Sequence, residues 1–130
     1  MRVGLLEDDI AIQEMLRLVL QDEGYTVINF ADATACLEAF HINQPVEEPI
    51  PVDLMIVDWR LSDTTTGTEV IQQLRQDPRL RTLPIILTTA ATFSNFEQIE
   101  HLQISFLEKP FSVDEMTDLI KEITTNGQGE

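Results

Sequence analysis

Residues 52–58 read Val-Asp-Leu-Met-Ile-Val-Asp, a short and mostly apolar run that ends in a carboxylate. The segment before it, residues 44–51, contains three prolines, which rule out a helix there. A short apolar run bounded in this way predicts a buried strand over residues 52–57. Residues 44–51 are expected to form an exposed loop within the same domain.

Similar apolar runs occur four more times, at residues 3–6, 25–30, 83–88 and 104–107, and segments of helical period alternate with them. Strands that are apolar almost throughout are buried on both faces, which is typical of a parallel sheet covered by helices. We therefore expect an α/β fold with a doubly wound, five-stranded parallel sheet and right-handed crossovers.

The clearest helical period follows the first strand and is closed by Gly24. Its apolar residues recur at i, i+3, i+4 and i+7, and this spacing predicts one buried face, made of Ile12, Met15, Leu16 and Val19. Asp9 stands just before this pattern, so it is interpreted as the helix N-cap rather than as a ligand.

Three further helices carry a clear apolar face, and two of them have a capping signal. Asp32 precedes the second helix, and Ser112 with Glu115 forms a capping box at the start of the last one. The faces predicted to be buried are Ala33, Cys36, Leu37 and Phe40; Val70, Ile71 and Leu74; and Val113, Met116, Leu119, Ile120 and Ile123. A short, weakly periodic helix is expected around Phe96 and Ile99.

The composition sets limits on partners and compartment. The chain has 130 residues and a formal net charge of −15, which disfavours nucleic acid and anionic membranes as partners of this domain. Its single cysteine, Cys36, cannot form an internal disulfide, and no apolar run reaches the roughly 18 residues of a membrane span. We expect one cytoplasmic domain over residues 1–124, followed at 125–130 by a tail or the start of a linker.

Polar side chains stand where the predicted strands end. Glu7 and Asp8 follow the first strand, Asp58 ends the third, Thr89 follows the fourth and Lys109 follows the fifth. Ligands of open parallel sheets bind outside the carboxyl ends of the strands. Three carboxylates gathered there need a cation, and all-oxygen ligands suit Mg²⁺.

In this order, these residues resemble the response-regulator receiver domains of bacterial two-component signalling. The pattern is Glu7-Asp8, Asp58, Thr89-Ala90 and Lys109-Pro110-Phe111, and it runs over essentially the whole chain. The resemblance implies a flavodoxin-like strand order, 2-1-3-4-5, and a signalling module rather than an enzyme. It also implies a sensor histidine kinase or phosphotransfer protein as phosphodonor. A downstream protein or output domain would bind the face made by the fourth helix, fifth strand and last helix.

The resemblance also implies a role for each matching residue. Asp58 would be the phospho-acceptor, with Glu7, Asp8, Asp58 and the backbone carbonyl of Arg60 as Mg²⁺ ligands. The phosphoryl group would be contacted by the Thr89 hydroxyl, the Ala90 backbone N–H and the Lys109 ammonium. Phe106 stands at the position of the family's switch aromatic.

Two departures from the family pattern lie beside Asp58. Ser62 replaces the usual proline, and Gly67 lies nine residues after Asp58 instead of the usual eight. Two alternatives stay open: a small Mg²⁺-dependent phosphatase with an aspartate nucleophile, and a docking module that works without phosphorylation. A phosphatase of this class commonly has a second aspartate two residues after the first, a position that Arg60 occupies here. The intact Asp58, Asp8 and Lys109 argue against the docking module.

Overall fold

The structure, a computed structural model, describes residues 1–40, 50–59, 66–89 and 103–128. Its strands are β1 (Arg2–Leu6), β2 (Thr26–Asn29), β3 (Leu54–Asp58), β4 (Ile85–Thr89) and β5 (Ser105–Glu108). Its α-helices are α1 (Ile10–Asp22), α2 (Ala33–Ala39), α3 (Gly67–Arg75) and the C-terminal helix α4 (Val113–Gln128), with a 3₁₀ turn at Pro78–Leu80. The proline-rich loop and the helix predicted around Phe96 and Ile99 fall outside the described residues, apart from Ile50 and Pro51.

The five strands form one parallel sheet in the order β2-β1-β3-β4-β5, as the resemblance implied. Two of the three inner strands, β3 and β4, are buried along their whole length, because helices cover both faces of the sheet. All strands point the same way, so their carboxyl ends share one edge. The predicted fold class is confirmed.

Alternate residues of each strand enter two separate apolar cores. Met55, Val57 and Leu87 lie in the core that also contains buried residues of α2 and α3. Ile56 and Ile86 lie in the opposite core, with buried residues of α1 and α4. The face on which a strand residue lies therefore follows from its position in the alternation.

The predicted caps are confirmed. The Asp9 side chain accepts a hydrogen bond from the Ile12 N–H at 3.1 Å, so Asp9 is the N-cap of α1. Asp32 caps α2 in the same way, through the N–H of Ala35 at 2.8 Å. Gly24 follows α1 with φ of +92°, a left-handed conformation that favours glycine.

The capping box also forms, with reciprocal bonds between Ser112 and Glu115 that are both 3.1 Å long. The C-terminal helix continues to Gln128, into the segment 125–130 that the sequence predicts as a tail or the start of a linker.

Two helix faces differ from the prediction in part. On α1, Met15 is 40% exposed, whereas Leu20, which the prediction left out, is fully buried beside Leu16. On α4, Met116 and Ile120 are buried as predicted, but Val113 is exposed. Val113 is the first residue of its helix. None of the helices in the described ranges is both long and apolar enough to cross a membrane.

Candidate functional site

The sheet register brings the predicted site residues to one edge. Asp58, the last residue of β3, pairs with Thr88, and Thr89, the last residue of β4, pairs with Glu108. The backbone extends the ladder past β5, because the Lys109 N–H donates to the Thr89 carbonyl at 2.7 Å. This backbone hydrogen bond to β4 fixes the position from which the Lys109 side chain extends into the site.

The Lys109 side chain bridges two carboxylates that are far apart in sequence. Its Nζ lies 3.0 Å from Oδ1 of Asp58 and 3.2 Å from Oε2 of Glu7. Both carboxylates are nearly inaccessible, with exposures of 6% for Asp58 and 3% for Glu7. Burial would lower the pKa of Lys109, but the hydrogen bond to Asp58 and the charge of Glu7 raise it above the ordinary value.

Glu7 is held in place by hydrogen bonds from neighbouring residues as well as by Lys109. The Asp9 N–H donates to Glu7 Oε1 at 3.2 Å, and the Gln13 side-chain amide donates to the Glu7 carbonyl. Burial, followed by the negative charge of Asp58, raises the pKa of Glu7 to about 7. A carboxylate so strongly disfavoured in its charged form is stabilised by a nearby cation.

The carboxylates of Glu7, Asp8 and Asp58 fit a divalent cation. One oxygen from each can be chosen so that all three lie within 4.8 Å of one another, and Asp8 is exposed while the other two are buried. Mg²⁺ takes carboxylate oxygens and keeps several waters, so one solvent-facing ligand beside two buried ones suits it. These residues could hold the metal, whereas the Asp9 side chain caps α1, as predicted.

The remaining predicted residues are placed only in part. Thr89 is buried at the end of β4, and Phe106 is half-buried on β5, packed against the core that contains Leu87. Arg60 and Ala90 lie outside the described residues, so their predicted roles stay predictions.

Gly67, which the sequence marks only by its spacing from Asp58, supports the site. It opens α3, and its N–H donates to the Trp59 carbonyl at 2.6 Å. A Cβ at this position would overlap the Asp58 carbonyl oxygen and lie 2.8 Å from a methyl group of Val57. Only glycine lets α3 approach the backbone of Asp58 this closely.

The fold and the site define a class of protein, a doubly wound α/β domain. At the carboxyl edge of its sheet it carries a buried Asp58, two further carboxylates and a bridging lysine. The model of the response regulator receiver domain family matches residues 3–121. The chain belongs to this family.

Relatives of known identity agree with this assignment. The phosphate regulon transcriptional regulatory protein PhoB of Rhizobium meliloti is 30% identical over 99% of this chain, and its Escherichia coli counterpart is 28% identical over 94%. The matches cover 54% and 51% of those two proteins, so the chain spans about half their length. A CheY-like receiver domain protein from Methanospirillum hungatei has the same fold, with a TM-score of 0.80 at 24% identity over 98% of this chain and 96% of that one.

Proposed function

We propose that the chain accepts a phosphoryl group on Asp58, in a Mg²⁺-dependent transfer from a histidine kinase or phosphotransfer protein. The observation that carries this proposal is the buried Asp58 carboxylate, with a lysine ammonium 3.0 Å away and two further carboxylates beside it. An aspartate is ionised at neutral pH, so it needs no base to act as a nucleophile. Its difficulty is the negative charge of the phosphoryl group, and the site supplies positive charge for it.

In the transfer, a lone pair on an Asp58 carboxylate oxygen forms a bond to phosphorus. The bond between phosphorus and the donor's imidazole nitrogen breaks, and its electron pair stays on that nitrogen. Lys109 neutralises phosphoryl oxygens, and the Thr89 hydroxyl and Ala90 N–H donate hydrogen bonds to them. Glu7, Asp8 and Asp58 would hold Mg²⁺, which would supply further positive charge to the phosphoryl group.

The first experiment identifies the acceptor. Incubation with acetyl phosphate and Mg²⁺ should add one phosphoryl group by intact mass, and hydroxylamine should remove it, as for an acyl phosphate. Asp58→Asn should abolish the adduct. Asp53→Asn is the matched control, because Asp53 precedes the same strand and pairs with Arg2, away from the site. An adduct that persists in Asp58→Asn contradicts the proposal.

The second experiment concerns the metal. Trp59 follows Asp58 directly, and its backbone N–H donates to the Thr88 carbonyl at 2.8 Å. Because the residue is fixed beside Asp58, its indole fluorescence should report Mg²⁺ binding. Asp8→Asn should weaken the Mg²⁺ response strongly, whereas Asp22→Asn, at the other end of α1, should leave it unchanged. An unaltered response in Asp8→Asn would mean that the metal binds elsewhere.

This chain has a recess beside Lys109 in which we propose that the donor protein docks. A cavity of about 370 Å³ is lined by Ile12, Met15, Lys109, Pro110 and Phe111. Its mostly apolar walls fit an apolar side chain of a protein that presents its phosphohistidine to Asp58. Met15→Glu should therefore slow transfer from the kinase and leave labelling by acetyl phosphate unchanged. Equal slowing with both donors would place the defect in the chemistry and not in docking.

The output is proposed to use Phe106. A phosphoryl group adds roughly −1.5 to −2 charge at Asp58, towards which Thr89 can move as a donor. Phe106 pairs with Leu87 on β4, and its ring lacks a hydroxyl, so an inward position leaves no polar group unsatisfied. Phosphorylation then shifts an existing equilibrium of the ring, and the face around Phe96 and Phe106 binds the downstream protein.

Amide NMR shifts with and without beryllofluoride, a phosphate mimic, test this coupling. Changes should reach residues 93–116 in the wild type and be reduced in Thr89→Ala. Changes confined to the residues next to Asp58 would contradict it.

A further inference from the structure

Gln13 is a half-buried polar residue of α1 that makes two hydrogen bonds back to the turn between β1 and the helix. Its side-chain amide donates to the Glu7 carbonyl, and its backbone N–H donates to the Asp9 carbonyl at 2.9 Å. The pairing of β1 with β3 ends at Leu6, so the Glu7 carbonyl lies beyond the sheet and takes its hydrogen bond from elsewhere. Gln13 supplies this bond from the helix.

The hydrogen bond from Gln13 holds the peptide group that joins Glu7 to Asp8. The carboxylate of Glu7 is fixed in other ways, by burial and by Lys109 Nζ at 3.2 Å. Asp8 is the exposed member of the three carboxylates, so packing does not set its direction. Its direction depends on the backbone on either side, which is held by the Asp9 cap after it and by Gln13 before it.

The direction of Asp8 matters because Mg²⁺ takes near-octahedral geometry with short bonds to its oxygen ligands. A carboxylate that turns freely has to be ordered when the metal binds, and this lowers the affinity. Residues that orient a metal ligand without touching the metal typically change its affinity tenfold or more.

We propose that Gln13 is a positioning residue of the Mg²⁺ site, which orients Asp8 through the hydrogen bond to the Glu7 carbonyl. This inference rests on the proposed function. It assigns part of the metal affinity to a helix residue that is not itself a ligand.

The alternative is that Gln13 serves only the stability of α1. Gln13→Met separates the two roles, because methionine has a similar length and helix propensity but no donor. If Gln13 orients Asp8, Mg²⁺ affinity should fall about tenfold. If it serves only the helix, stability alone should change.

Gln21→Met is the matched control, the same substitution eight residues further along α1. Gln21 is exposed, and its side chain accepts from Arg17 at 3.5 Å, about 12 Å along the helix from Gln13. The control should leave Mg²⁺ affinity unchanged. Should Gln13→Met fail to fold, Gln13→Ala removes the same donor.

Three measurements are compared: Mg²⁺ affinity by Trp59 fluorescence at constant ionic strength, unfolding in urea, and ¹⁵N relaxation of the metal-free protein. In Gln13→Met the order parameter of the Asp8 amide should fall, because its peptide group is released. The order parameters of Leu16 and Leu20 should stay at about 0.85, the value of rigid backbone. A role in helix stability alone does not loosen Asp8 selectively.

Wild-type Mg²⁺ affinity in Gln13→Met, or a loss of affinity with no change at the Asp8 amide, would overturn the inference and leave the proposed function standing. An equal loss in Gln21→Met would also overturn it. A wild-type protein that binds no Mg²⁺ would overturn both the inference and the metal dependence of the proposed function.

Discussion

Replacing Gly67 by alanine tests whether the phospho-acceptor strand is held against α3 as closely as the structure has it. The added Cβ would overlap the Asp58 carbonyl oxygen and lie 2.8 Å from a Val57 methyl group, where ordinary contact begins at 3.4 Å. The methyl group can turn away, but the carbonyl belongs to the backbone of β3. The helix or the strand end must therefore move by several tenths of an ångström.

The size of the effect follows from two opposing contributions. Forcing an extra carbon into a packed site costs about 1–3 kcal/mol. Alanine recovers up to about 1 kcal/mol through its better helix propensity, and less at the first position of a helix. We expect the free energy of unfolding of Gly67→Ala to fall by about 1–2 kcal/mol.

Urea unfolding followed by circular dichroism measures this loss, and a Mg²⁺ titration of Trp59 fluorescence measures displacement of Asp58. The control is Gln72→Ala on the exposed face of the same helix, which should change stability by no more than about 0.5 kcal/mol. Mg²⁺ affinity should fall in Gly67→Ala and not in the control. An alanine variant as stable as the wild type, with unaltered Mg²⁺ binding, would refute the close approach of α3 to Asp58.

Three further predictions concern parts of the fold away from the metal ligands. Burial raises the pKa of Cys36 to about 12, so Ellman's reagent should modify the thiol at pH 8 only after unfolding; rapid reaction of the native protein would contradict its burial. Ser112→Ala removes the N-cap of α4 and should lower the free energy of unfolding, measured in urea, by about 1 kcal/mol. An unchanged free energy of unfolding would show that the cap does not stabilise the helix. The hydrogen bond from Arg79 lowers the pKa of Asp77, so its stabilisation is present above the unfolded pKa of about 3.9 and is lost as the pH falls through the folded value. Asp77→Asn should therefore lose stability relative to wild type at pH 6 but much less at pH 3, and a difference independent of pH would count against the pair.

The strands could be predicted because each is a short, mostly apolar run, although the edge strands β2 and β5 are only partly buried. The helix faces were harder, and α1 illustrates the reason. Apolar residues surround most of this helix, so the period alone allowed more than one buried face. Packing against the sheet selected Leu16 and Leu20 and left Met15 at the surface. The strand order was available only from family resemblance.

The site could be predicted as a set of residues but not as a geometry. The meeting of Glu7, Asp58 and Lys109 follows from the parallel strand ends. The burial of Glu7 and the overlap that makes Gly67 necessary depend on distances across the sheet, which the spacing of residues along the chain does not contain.

The bridge made by Lys109 has a consequence for the order in which ligands can arrive. Three carboxylates and one ammonium leave the pocket with a formal charge of −2 when all are ionised. Every phosphodonor is itself an anion, and its approach to such a pocket is opposed until two positive charges have been added. Under the proposed function, the supply of free divalent cation would therefore act before the kinase, because it would set the fraction of molecules that can accept a phosphoryl group.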